Sequence, residues 1–260
     1  MTIPPTIAPL ATAILGLCVG SFLNVVIARL PAGRSIVHPG SACPRCGKPL
    51  AWYDNLPVLS YALLRGRCRS CREPISWRYP AVEIACGTLF ALAYHRFASG
   101  LGLTAALVLL AGLVAITAID LDHQIIPDVL SLPGIGLGLL FSLAPDGIGW
   151  VHSLLGVVVG GGVFVVIITA SVLVIGQAGM GVGDVKLGAM LGAFLGWKLA
   201  LLSILLSVLV GGPLAAVLLA TGRKGRKDPI PFGPFLALGG LISLFWGEAV
   251  LAWYFGQFLN

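Results

Sequence analysis

The sequence predicts an all-α polytopic membrane protein with about eight transmembrane helices and one small polar loop domain. Hydrophobic residues fill 58% of the 260 positions and charged residues only 10%, whereas an ordinary soluble domain carries about 25% charge. Apolar stretches of about 20 residues, each long enough to cross a hydrocarbon core of about 30 Å as a helix, recur along the chain. Polar character is concentrated in residues 31–80, which divides the chain into a first helix (1–30), a polar loop (31–80) and an apolar remainder (81–260).

The first apolar segment, 7–29, has no positive residue ahead of it and Arg29-Leu30-Pro31-Ala32-Gly33-Arg34 behind it. A signal peptide shows the opposite order, so this is read as a retained helix. The others cover 81–98, 101–120, 129–145, 151–176, 185–197, 199–220 and 234–256, with the sixth and seventh parted at Trp197-Lys198. Gly188, Gly192 and Gly196 recur at i, i+4, and Gly156 to Gly162 is similarly glycine-rich; small residues at that spacing let helix backbones approach closely. No tandem repeat of fixed period and no inverted halves stand out.

Basic residues set the expected orientation. Nine Lys and Arg lie from Arg29 to Arg78 and four more in Arg223-Lys224-Gly225-Arg226-Lys227. With eight spans and the N-terminus outside, these and Lys186 face the cytoplasm, leaving only Arg96 and Lys198 opposite. The net charge of +6 is then a product of topology and gives no reason to expect nucleic-acid binding.

The 31–80 loop is too small to bury a sizeable core unaided. It carries Cys43-Pro44-Arg45-Cys46 and Cys68-Arg69-Ser70-Cys71, two CxxC pairs separated by 21 residues. Each pair offers two thiolates from one tight turn, and the two together suit tetrahedral zinc. A disulfide pairing conflicts with the reducing cytoplasm that the charge pattern assigns to the loop. Four thiolates leave no open position, so the expected metal is structural. Cys18 and Cys86 read as packed small residues.

Chemistry is expected at the carboxylates. Asp120 ends one apolar segment, and Asp184 ends Gly179-Met180-Gly181-Val182-Gly183-Asp184 ahead of another. Ionisable groups at membrane depth are costly and usually functional. Paired carboxylates sharing one proton can activate water with one group and polarise a carbonyl with the other. Gly181 and Gly183 would let backbone approach an extended substrate, and Lys186 follows in the same supporting loop. Asp122 reads as solvated and Asp128, after Pro127, as a helix N-cap. Glu83 is either a first-turn helix residue or part of a site in the loop, and Glu248 is peripheral. His38, His95, His123 and His152 form no HExxH, and no GxSxG occurs, which argues against metalloprotease and serine hydrolase chemistry.

Taken in order, Gly20-Ser21-Phe22-Leu23-Asn24-Val25-Val26-Ile27 with Arg29-Leu30-Pro31, the two CxxC pairs, Tyr79-Pro80-Ala81-Val82-Glu83, Ile119-Asp120-Leu121-Asp122 with Ile126-Pro127-Asp128, Gly179 to Leu187 and Pro231-Phe232-Gly233-Pro234 resemble the bacterial type IV prepilin peptidases. These are GxGD-type aspartic proteases of the inner membrane. The resemblance implies that Asp120 and Asp184 are the catalytic pair. It implies that prepilins or pseudopilins of type IV pilus or type II secretion systems are cut after a glycine on the cytoplasmic face, releasing a short basic leader. It also implies N-methylation of the new terminus from S-adenosylmethionine by the part that contains the cysteine loop, although no residue is assigned to that donor. A basic leader is not drawn to a basic loop, so the loop's charge is expected to face anionic lipid or the acidic residue after the cut. The competing reading from another class is a proton-coupled transporter using Asp120 and Asp184 as relay groups; a non-catalytic scaffold leaves both aspartates unexplained.

Overall fold

The computed structural model describes residues 7–176, 179–222 and 230–258, with no account of the Ile175 and Phe258 side chains. The basic run at 223–227 lies outside the described residues. The chain is helical: α1 Ala8–Arg29, a short α2 Leu59–Leu63, α3 Arg78–Phe97, α4 Leu101–His123, α5 Asp128–Phe141, α6 Trp150–Ile175, α7 Val182–Ala220 and α8 Gly233–Phe258. Two isolated bridges are the only β pairing among the described residues. Five helices are long and apolar enough to cross a membrane, namely α1, α4, α6, α7 and α8. The fold expected from the sequence, an all-helical membrane protein with a four-cysteine loop, is the one observed.

A 39-residue α7 would run about 58 Å if straight, nearly twice a hydrocarbon core. It is not straight. Gly196 takes φ +78 and ψ 169 and interrupts it, and the packing partners on α8 show that the chain turns back there. Leu191 packs on Gly240, but beyond the break Leu199 lies on Gly247, Ser203 on Gly239 and Phe235 on Gly211, positions that descend along α8 as α7 advances. Residues 182–195 therefore meet α8 near Gly240, and residues 197–220 run antiparallel to it. The break expected at Trp197-Lys198 falls at Gly196, because only glycine enters that left-handed region without strain. Gly196 is buried and also continues the stripe, facing His152 of α6 one turn beyond the Gly156–Gly192 contact.

Packing divides the chain into two compact units, Met1–Ala98 and Ser99–Asn260. In the first, α3 packs on α1, so it groups with the loop, whereas a boundary at residue 80 would group it with the later helices. A Cβ on Gly16 would meet the Cys86 carbonyl oxygen at 2.6 Å, and one on Gly20 would meet Glu83 Cα at 2.7 Å. In the second unit the core comprises Leu109, Leu113, Ile116, Phe164, Leu187, Met190, Leu191 and Leu236 among others. Here α6 and α7 meet backbone to backbone at Gly156–Gly192 and Gly160–Gly188, where any added Cβ would strike a carbonyl of the other helix. Gly192→Leu should therefore force the helices apart and destabilise the unit by about 1–3 kcal/mol. Gly162→Ala, which faces open space, should be neutral. Thermal unfolding of the two variants in detergent tests the contrast.

The cysteine loop contains a repeat that sequence reading passed over. Residues 41–52 and 66–77 share C-x-x-C-x-x-P, then Leu50 or Ile75, then Trp52 or Trp77 two residues on. Their backbones bond alike. Cys43 N–H donates to the Lys48 carbonyl and Cys68 N–H to that of Glu73; Leu50 N–H reaches Ser41 and Ile75 N–H reaches Gly66. The bridges Ala42–Pro49 and Arg67–Pro74 correspond as well. Gly47, with φ +70, has as its counterpart Arg72 at φ +61. That conformation costs a residue with a Cβ about 1–2 kcal/mol. Arg72→Gly should tighten the second knuckle by about 1 kcal/mol, which would slow metal release to a chelator about fivefold.

Candidate active site

Asp120 lies in the last turn of α4 and Asp184 in the first turn of α7, and both are buried. The sequence places Asp184 at the end of a loop over 177–184, but the helix starts at Val182. Gly181 N–H donates to Asp184 Oδ2 at 3.1 Å across that first turn, so the carboxylate sits at the positive end of its own helix. Asp120 has the opposite local setting, because carboxylates are disfavoured at a helix C-terminus. Its compensation comes from far along the chain: Gly233 N–H, at the first residue of α8, donates to Asp120 Oδ2 at 2.9 Å across 113 positions. The two carboxylates lie within electrostatic reach of each other.

The supporting residues differ in part from expectation. Gly183 gives room to Ile126, whose Cβ would be 2.9 Å from an added methyl, so its small size serves packing between two chain segments. Lys186 Nζ reaches Asp128 Oδ1 at 2.5 Å and neither aspartate of the pair. Asp128 is not an N-cap: Pro127 holds that position, and Asp128 occupies the first turn of α5. The Ile126 contact and the Lys186–Asp128 bridge hold the start of α5 against the start of α7. Asp122 is exposed, and so is Glu248 on α8. Gly233 is the residue whose role sequence reasoning missed; its motif was visible, but nothing in it names an acceptor 113 residues away. Phe232 beside it packs edge-on against the fully buried Phe164, with centroids 5.9 Å apart, which anchors the turn that delivers the Gly233 N–H.

In the first unit, Cys43, Cys46, Cys68 and Cys71 place their sulfurs within 4.8 Å of one another. Zinc–thiolate bonds of about 2.3 Å separate tetrahedral sulfurs by about 3.8 Å, and Cys43 and Cys71 are 3.8 Å apart. All four are free thiols at a separation far beyond a disulfide bond. The N–H groups of Cys46 and Arg45 draw the Cys43 thiol down to about 6, toward the thiolate a metal requires. This four-thiol set fits a closed zinc site. Nearby, Arg69 forks onto Asp54 through Nε and Nη2 and stacks over Tyr53, so its charge is engaged within the loop.

Glu83 is buried at 8% exposure in α3, and its Oε2 accepts the Val58 N–H at 2.7 Å. Glu83 thus lies beyond the first turn of α3, and its bond to Val58 joins that helix to the loop.

Comparison with known proteins defines the class first: this is a membrane peptidase. Residues 107–216 match the Type IV leader peptidase family and residues 14–97 match the Bacterial Peptidase A24 N-terminal domain. A prepilin leader peptidase/N-methyltransferase of Aeromonas hydrophila is 40% identical over 94% of this chain and 92% of its own length. One from Pseudomonas aeruginosa is also 40% identical, over 94% and 92%. One from Myxococcus xanthus is 47% identical over 82% of this chain and 64% of its own. The chain belongs to the prepilin leader peptidase/N-methyltransferase family. No solved structure matches it.

Proposed function

We propose that this chain cuts the basic leader from type IV prepilins or pseudopilins at the cytoplasmic face of the bacterial inner membrane, and then methylates the new N-terminus. The observation that carries the cleavage step is the pair of buried carboxylates, Asp120 and Asp184, brought together at converging helix ends in an apolar bundle. One is ionised and takes a proton from water as the water oxygen adds to the scissile carbonyl; the other, protonated, donates to the carbonyl oxygen. Collapse of the tetrahedral intermediate breaks the C–N bond and returns a proton to the leaving amine.

Gly181 and Gly233 hold one oxygen of each carboxylate through backbone N–H groups, which fixes their orientation without a titrating partner. Gly183 and Lys186 support the same turn by holding α5 against α7. In the loop, Cys43, Cys46, Cys68 and Cys71 hold a structural Zn2+ that staples the two knuckles. When bound, S-adenosylmethionine would supply an electrophilic methyl group to the new terminal amine. The transporter alternative finds no support among the relatives.

The test is the purified chain in detergent with a prepilin and S-adenosylmethionine, followed by mass spectrometry. The expected result is a leader-sized mass loss followed by a methyl-sized gain. Intact substrate with well-folded protein overturns the peptidase reading, and cleavage without methyl gain overturns the second activity.

A further inference from the structure

The polar loop between α1 and α3 has an apolar centre. Residues 56–64, Leu56-Pro57-Val58-Leu59-Ser60-Tyr61-Ala62-Leu63-Leu64, carry no charge. Leu56, Leu59 and Leu63 are exposed, the last by 73%, and Leu59 and Leu63 at i and i+4 share one face of α2. Two observations fix where this stretch lies along α1. The Val58 N–H donates to Glu83 Oε2 at 2.7 Å, and Glu83 Cα packs against Gly20, well before α1 ends at Arg29. The α1 face of Cys18, Ser21, Phe22, Val25 and Arg29 also fronts residues 55–57 across a groove. We infer that residues 56–64 are a re-entrant segment that folds back beside α1 into the leaflet at its Arg29 end, with Leu56, Leu59 and Leu63 among the lipid acyl chains. This requires only that α1 cross the membrane, whatever reaction the chain performs.

Helix length separates a loop held above the membrane from one that enters it. With 22 residues, α1 is about 33 Å long, enough to cross a hydrocarbon core of about 30 Å once. Val58 lies within one glutamate side chain of the Gly20 level. If the membrane ended there, Ala8 to Leu23 would remain to cross it, about 24 Å, which is too short. With the boundary at Arg29 the helix crosses in full, and Val58 lies about 9 Å inside. The segment is built for that depth, where main-chain polar groups need partners within the protein. The N–H groups of Ser60, Ala62 and Leu64 donate to the carbonyls of Leu56, Val58 and Ser60 at 3.1, 3.0 and 2.9 Å. Glu83 serves Val58, whose φ of 60 is an outlier for a β-branched residue. Both polar side chains turn inward, Ser60 Oγ donating to the Tyr53 carbonyl at 2.7 Å and the Tyr61 hydroxyl to that of Ile75 at 3.3 Å. Trp52 and Tyr53 precede the segment and Arg65 and Arg67 follow it, all four exposed. Amphipathic rings and snorkelling arginines at the ends of an apolar run suit the headgroup layer. A partner protein covering the same leucines would have to reach them inside the limit set by Arg29, which favours lipid.

The test uses the full chain, zinc-loaded, in nanodiscs of phosphatidylethanolamine with phosphatidylglycerol. An aryl diazirine that partitions into acyl chains is photolysed, and the labelled positions are read by peptide mass mapping. Because the probe follows apolar volume, it should label Leu56, Leu59 and Leu63 to within about threefold of Leu15 on α1, and the Arg45–Lys48 stretch at least about tenfold less. Leu63→Cys gives a second readout at a position exposed enough to tolerate the change. A thiol among acyl chains is kept from water and protonated, so a membrane-impermeant maleimide should modify Leu63→Cys at least about tenfold more slowly than Ala32→Cys, exposed just beyond α1. No other protein is present, so labelling and protection together assign the cover to lipid. Carbene labelling of residues 56–63 no higher than that of Arg45–Lys48 overturns the inference. So does a Leu63→Cys thiol that reacts as fast as Ala32→Cys.

Discussion

Asp184→Asn and Asp120→Asn should each leave prepilin uncut, with kcat/KM lowered at least about 10³-fold, while the protein accumulates and unfolds as the wild type does. The structure explains why the second half of that expectation holds. Each carboxylate binds the fold through one backbone N–H, from Gly181 or Gly233, and the carbonyl oxygen of asparagine can accept the same bond. What the amide cannot do is exchange a proton with water and the scissile carbonyl. Asp128→Asn should cost less than about tenfold, because an exposed ion pair such as that with Lys186 contributes about 0–1 kcal/mol. Asp122→Asn, at an exposed position, should cost no more. Cleavage rates by mass spectrometry, with detergent melting curves on the same preparations, check the set. Cleavage surviving in Asp120→Asn with loss in Asp122→Asn would move the first catalytic role by two residues.

Gly233→Ala should cost cleavage about 10²-fold with little change in melting temperature. An added Cβ there would stand 2.6 Å from Asp120 Oδ2 and 3.1 Å from its Cγ, closer than carbon and oxygen approach without bonding. The carboxylate end can swing away, since it is the tip of a side chain, so the fold survives. In doing so it loses the bond that orients it, and misplacement of a reacting group by about 1 Å costs on the order of 10²-fold. A drop in KM-independent turnover at unchanged abundance is the expected signature. Wild-type rates in Gly233→Ala would show that the orientation of Asp120 does not depend on α8.

The parts of this architecture legible in the sequence are those written in local composition. Long apolar runs predict helices because bilayers demand internally bonded backbone, and α1, α4, α6 and α8 fall close to where the runs do. The CxxC pairs announce a thiol cluster because the spacing itself makes the knuckle. Less legible were features set by partners remote in sequence. Asp128 looked like a cap because it follows a proline and precedes an apolar run; its actual partner, Lys186, is 58 positions away. The knuckle repeat escaped notice because only the cysteines, a proline and a tryptophan match, with Arg72 standing where symmetry favours glycine. Gly196 continues the packing stripe but is also the point of reversal, which i, i+4 spacing alone does not announce.

The bond between Gly233 and Asp120 also has a meaning in time. During synthesis both aspartates enter the membrane long before residue 233 leaves the ribosome, and until α8 inserts Asp120 lacks the donor that aims it. A nascent chain therefore carries Asp120 without its Gly233 donor, and on the proposed mechanism full proteolytic competence is expected only with the last helix. A product truncated before residue 233 is therefore expected to cut prepilin at least about 10²-fold more slowly than the full chain.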